Sequence, residues 1–166
     1  MRELIIIRHA IAPERDSTRW PDDRDRPLSR EGRRRFRRVA SRAARWVGKV
    51  DLLLTSPLAR AKQTADILRD EARWPKPVEK AELDPSIDPE RTLASLVRSK
   101  GQRIALIGHE PHLSAFIGVC IAHPDSAVRL QMKKGAIAVI GFTGALRPGR
   151  GMLLALIPPK TLRRMK

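Results

Sequence analysis

The sequence predicts an α/β protein, a three-layer α/β/α sandwich, on three observations. Short runs rich in β-branched residues alternate with stretches of helical period. Those runs are apolar throughout, as in strands covered on both faces of a sheet. The chain of 166 residues is long enough for one continuous core, so residues 1–166 read as a single domain, with no internal repeat or linker.

Leu4-Ile5-Ile6-Ile7 is the first strand, and it stops at Arg8-His9. Residues 10–28 are charged, contain Pro13, Pro21 and Pro27 and show no helical period, which predicts a long surface loop. Ser29-Arg30-Glu31-Gly32 opens a helix in which Phe36, Val39, Ala40, Ala43 and Val47 form one buried stripe. Its other faces carry Arg33, Arg34, Arg35, Arg37, Arg38, Arg42 and Arg45. A charge run of this kind is ordinarily a solvated face, and the stripe already accounts for the helix. Asp51–Thr55 is the second strand. Ser56-Pro57 then supplies an N-cap and a first-turn proline for a helix reaching about Asp70, with Arg60 in its first turn.

Pro77–Leu83 reads as a short edge strand, and Pro89 opens a third helix with Leu93, Leu96 and Val97 inward. Arg103–Ile107 is a further strand, ending at Gly108-His109. Pro111 starts a fourth helix with Leu113, Phe116, Ile117, Cys120 and Ile121 on its core side. Strands at Ala136–Phe142 and Met152–Ile157 flank the turn Arg147-Pro148-Gly149, and Thr161–Lys166 reads as a basic frayed tail.

With 34 Lys+Arg against 18 Asp+Glu the net charge is +16, which calls for an anionic partner or substrate. Three Phe, three Trp and no Tyr leave little stacking surface, which makes nucleic acid an unlikely partner. The lone Cys120 lies in an apolar run, which forbids an intrachain disulfide and suits the cytoplasm. No signal segment and no run of bilayer length is present, so a soluble protein without membrane contact is expected. His109-Glu110-Pro111-His112 lacks the four-residue histidine spacing of a metalloprotease helix, and neither metal nor other cofactor is expected.

Arg8-His9, Arg60 and His109 all follow a strand. Ligand sites of open α/β sheets lie beyond the carboxyl ends of the strands, so these residues can converge on one pocket. Ser56-Pro57 and Glu110-Pro111 stand at helix N-termini, where free N–H groups and the dipole favour an anion. Phosphate suits such a pocket.

In this order and spacing, Arg8-His9-Ala10, the run Ser56 to Thr64 and Gly108-His109-Glu110-Pro111 resemble the histidine phosphatase superfamily, the phosphoglycerate-mutase-like fold. The runs Arg26 to Gly32 and Gly108 to Ser114 look like its SixA type of phosphohistidine phosphatase, and the likeness extends from residue 4 to about residue 120. It implies a mixed, mostly parallel six-stranded sheet with one antiparallel strand, and a metal-independent phosphatase. His9 would be the nucleophile that carries the phosphoryl group as a covalent intermediate. Arg8, Arg60 and His109 would grip the phosphoryl oxygens, His109 donating a hydrogen bond and, as the cation, adding charge. Relatives often use a carboxylate after the third strand as acid, and the candidates are Glu82 and Asp84. A ring-protonated phosphohistidine needs no strong acid to leave.

The expected substrate is therefore phosphohistidine on a protein. Small phosphoesters, or polyanion binding without catalysis, stand as alternatives. Residues 64–104 leave no room for a helical lid, which predicts an open pocket bordered by the loop 10–28. Ala10 stands where the family usually has glycine, and it keeps the turn only at negative φ.

Overall fold

Leu4, Ile5, Ile6 and Ile7 have no exposed surface, and they form the centre of β1 (Arg2–Arg8) in the computed structural model, which describes residues 1–123 and 126–165. The other strands are β2 (Leu52–Thr55), β3 (Val78–Glu79), β4 (Arg103–Gly108), β5 (Ile137–Phe142) and β6 (Met152–Ile157). One six-stranded sheet runs in the order β3-β2-β4-β1-β5-β6. Strand β1 is parallel to β4, as β4 is to β2 and β2 to β3, whereas β5 is antiparallel to both β1 and β6. The sheet is therefore mixed, with β5 the one strand running against the rest.

The pleat sends alternate side chains to opposite faces, and each face is roofed by helices. Ile5, Ile7, Leu53, Ala105 and Ile107 meet α1 (Arg30–Trp46), α2 (Ala59–Ala72) and α5 (Pro159–Arg164). Leu4, Ile6, Leu54, Ile104 and Leu106 meet α3 (Pro89–Leu96) and α4 (His112–Ile121). Each fully buried aliphatic side chain stabilises this arrangement by about 1.5–3 kcal/mol. In α1 the stripe Phe36, Val39, Ala40, Ala43 and Val47 is buried as the period predicts, and Ser29 caps the helix by accepting from the Gly32 N–H at 2.9 Å. Cys120 is buried, which pushes its thiol up to about 12. No helix among the described residues is long and apolar enough to cross a membrane.

Five expectations are corrected. The edge strand expected over Pro77–Leu83 is reduced to Val78–Glu79, because Ala81–Leu83 turns into a 3₁₀ helix that buries Leu83. Val97 lies outside α3 as its C-cap and is 49% exposed, since the helix ends at Leu96. Ser56 does not cap α2. The helix begins two residues later than the Ser-Pro signal suggests, with Leu58 at the cap and no side-chain bond there. The expected frayed tail is helical from Pro159 to Arg164, because Leu162 is buried in the layer that contains α1. The segment 10–28 is only partly a surface loop. Ala10, Ala12 and Leu28 are buried, and Asp23–Asp25 forms a 3₁₀ turn capped by the Asp22 carboxylate.

Candidate active site

Parallel pairing of β1 with β4 sets Arg8 beside Gly108, so His9 and His109 leave the sheet as neighbours. The His9 N–H donates to the Gly108 carbonyl at 3.0 Å, and the two imidazole centroids are 5.0 Å apart. His9 Nδ1 lies 2.6 Å from the Ala10 carbonyl. A carbonyl only accepts, so Nδ1 bears the proton and Nε2 keeps its lone pair. Ala10 does not have positive φ, because Arg73 is the one non-glycine residue with positive φ among the described residues.

Burial, with help from the charges of Arg60, Arg8 and Lys134, pushes the His9 pKa down to about 3 against a weaker opposing effect of the Ala10 carbonyl. His109 falls to about 2, chiefly through burial, then through His9 and Arg60, with Asp84 pulling the other way. Both rings are therefore neutral at pH 7. This modifies the expectation that His109 adds charge as a cation: in this structure it can only offer a hydrogen bond. The Ser56 hydroxyl is 2.9 Å from His109 Nε2 and accepts from the Leu58 N–H at 3.4 Å. In the tautomer in which that hydroxyl donates to Nε2, Nδ1 of His109 is the N–H donor, and it is buried with no partner among the described residues.

Arg60 stands in the first turn of α2 and is buried. Its Nη1 donates to the Asp23 carbonyl at 2.8 Å, and its Nη2 lies 3.2 Å from the Asp23 carboxylate. Arg26 takes the other carboxylate oxygen at 2.7 Å and also reaches the Pro13 carbonyl at 2.6 Å. The Arg8 Nη1 donates to the Met132 carbonyl at 2.7 Å. The Nε atoms of Arg8 and Arg60 remain buried with no hydrogen-bond partner among the described residues. The Nε–H groups of Arg8 and Arg60 and Nδ1 of His109 thus stand buried without a partner in the cluster whose charges and ring act on His9. A tetrahedral oxyanion would satisfy them.

The structure brings together Arg8, His9, Arg60 and His109. It does not bring in Glu82, whose carboxylate turns to Lys80 Nζ at 3.2 Å. Asp84 is the carboxylate whose charge reaches His109. It is bonded to Arg24 at 2.7 Å and to the Ser86 N–H and hydroxyl. Burial works to raise its pKa, but those bonds hold it below the usual carboxylate value. His112 is a buried packing histidine, with Nε2 3.1 Å from the Thr92 hydroxyl that joins α3 to α4.

Two residues of the site escaped the sequence, and Ser56, expected at the pocket as a helix cap, meets His109 instead. Asp23 sits in a segment without period. Lys134 lies between two anchored residues: Met132, held by Arg8, and Gly135, whose N–H reaches the Arg8 and His9 carbonyls at 3.1 Å. Burial first, then Arg8, Arg26 and Arg60, lower the Lys134 pKa, so this ammonium belongs to the same cationic cluster. Glu110 secures the loop by accepting from the Met132 N–H at 2.6 Å. Among the described residues no group of histidine, cysteine and carboxylate side chains could hold a metal ion.

Residues 4–84 match the family model described as histidine phosphatase superfamily (branch 1). An uncharacterized protein of Picosynechococcus sp. is 36% identical over 149 residues, covering 87% of this chain and 87% of that protein. The protein histidine phosphatase SixA complexed with tungstate superposes with a TM-score of 0.81 at 22% identity, over 96% of this chain and 99% of that one. A candidate phosphohistidine phosphatase SixA from Nakamurella multipartitia gives 0.77 at 24% identity, over 95% and 96%. At these identities the likeness to the solved structures is one of fold.

Proposed function

The chain belongs to the histidine phosphatase superfamily, and from that premise we propose that it removes the phosphoryl group from phosphohistidine on another protein, with His9 as the nucleophile. The observation that carries this reading is the 2.6 Å contact of His9 Nδ1 with the Ala10 carbonyl, which leaves Nε2 unprotonated among the unused donors of Arg8, Arg60 and His109.

In the first step Nε2 of His9 attacks phosphorus in line. A P–N bond to His9 forms as the P–N bond to the substrate imidazole breaks. The departing imidazole keeps its ring proton and leaves neutral. Water then attacks the phospho-His9, inorganic phosphate departs, and Nε2 regains its lone pair. Arg8 and Arg60 hold the equatorial oxygens, where charge spreads in the transition state. Asp23, whose charge acts on Arg60, and Asp84, whose charge acts on His109, are both held below the usual carboxylate value by arginines and other donors, against the opposing effect of burial. Neither is a ready proton donor. A leaving group that brings its own proton therefore fits better than the alkoxide of a small phosphoester.

The test compares kcat/KM for a phosphohistidine-bearing protein, free phosphohistidine and sugar phosphates, with acid and alkaline quenching of the enzyme during turnover. An acid-labile, alkali-stable phosphoryl group on the chain is expected, absent in His9→Ala, together with a preference for phosphohistidine. Unchanged turnover in His9→Ala would overturn the mechanism, and a preference for sugar phosphates would overturn the substrate class. Arg60→Ala should lose on the order of 100-fold in kcat, as when one preorganised donor is removed.

A further inference from the structure

The phosphoryl site accounts for few of the arginines that give this chain its charge of +16. Two depressions beside it account for more. A shallow crevice next to the His9 turn is lined by Ile11, Phe36, Pro159, Lys134 and Arg163. A broader groove between α1 and α5 is lined by Arg37, Arg38, Arg42, Arg45, Arg163 and Glu71. Arg163 borders both, and Lys134 ties the crevice to the loop that Arg8 and His9 anchor. Arg37 is 3.6 Å from Glu71, but Arg38, Arg42, Arg45 and Arg163 make no ion pair among the described residues. Packing does not require them, because α1 buries its opposite stripe. Like charges at helical spacing repel by a few tenths of a kcal/mol per pair, so the row is a cost until an anion lies along it.

We propose that this track is a docking surface for an acidic polypeptide segment that belongs to the phosphorylated substrate and extends from its phosphohistidine along α1. The inference rests on the phosphatase reading above and deepens it. Guanidinium forks match carboxylates two oxygens at a time. No aromatic residue lines the broad groove, so bases have nothing there to stack on. An acidic segment on the track would steer encounter and raise the local concentration of the phosphoryl group at His9.

The experiment uses two synthetic peptides, each with one chemically phosphorylated histidine, followed in one by a run of Asp and Glu and in the other by an equal run of Ser and Gly. The wild-type chain should turn over the acidic peptide with kcat/KM tenfold or more higher at low salt, mainly through KM, and the advantage should vanish at high salt. The triple variant Arg38→Glu, Arg42→Glu, Arg163→Glu should lose the preference and keep its rate on free phosphohistidine. A milder set with glutamine at the same positions should lose part of it, which covers the case of a reversal variant that folds poorly. Equal turnover of the two peptides by wild type overturns the proposal. So does a duplex DNA oligonucleotide that competes at lower concentration than the acidic peptide, which would assign the track to nucleic acid. If the wild-type chain hydrolyses none of these substrates, the phosphatase reading fails. The track is then judged alone by fluorescence anisotropy of the unphosphorylated acidic peptide: tight, salt-sensitive binding lost in the variants supports it, and no binding refutes it.

Discussion

Arg60 is held by Asp23 through both terminal nitrogens, which leaves its buried Nε–H and the second N–H of each terminal nitrogen as donors for a phosphoryl oxygen. A guanidinium held this way cannot swing to another rotamer, so the carboxylate acts as a positioning residue. Asp23→Ala should lower kcat by about 10-fold, less than removal of Arg60 itself, since misplacement of a group costs part of what its deletion costs. Steady-state kinetics decide, and a rise in rate would mean that the carboxylate competes with the phosphoryl group. The two site histidines carry a pH signature. Folded, they bind fewer protons than the unfolded chain below the ordinary value of 6.5, so the stability they preserve is complete above pH 6.5. It declines as pH falls towards about 3 for His9 and about 2 for His109. Urea unfolding at pH 7 and pH 5 should show a smaller acid loss in the double variant His9→Ala, His109→Ala than in wild type. The four central residues were legible because each follows a strand and sits in a motif of fixed spacing. Asp23 and Lys134 were not, because nothing in an aperiodic segment tells which of its charges turns inward.

Helix α1 shows what a single element does for the site. Its stripe was readable from the period, yet its relation to the His9 turn depends on Gly32, which no period reveals. A Cβ there would come within 2.0 Å of the Ile11 carbonyl oxygen, a backbone atom that no side-chain rotation can clear. Ile11 also accepts the Ser29 N–H at 3.0 Å, so cap and close approach fix the helix to the segment that follows the nucleophile. Gly32→Ala should therefore destabilise by about 1–3 kcal/mol or more, as overpacking does, and lower kcat as the turn shifts. Thermal melts and kinetics on one preparation would check both, and a neutral melt would contradict the geometry. The boundaries of α2 and α5 escaped the sequence for a different reason. Ser56 was drawn away from capping by His109, and Leu162 found cover that only the folded chain supplies.

At the scale of the molecule, alternating elements made the layered architecture legible, whereas the presence of one antiparallel strand came from family likeness, and that the strand is β5 came only from the structure. That direction follows from pairing that no local signal encodes. Glu3 pairs with Arg103 and Ile7 with Ile137, so during synthesis β1 waits in the middle of the sheet for partners that come much later in the sequence. Until β5 has emerged, Leu4 to Ile7 is a short, uncharged, β-prone segment with nothing to cover it, which is the kind of stretch that seeds aggregation. Loops of this length must close before their contacts repay the entropy, so folding should be slow for a chain of this size. Refolded from urea, the chain should regain turnover only in its slowest major phase, together with the loss of dye-accessible apolar surface. Activity that returned well ahead of that surface would show that the histidine pair forms without its sheet. The central place of β1 thus makes the yield of folded protein, not the activity of what folds, the quantity that a weakened strand should lower first.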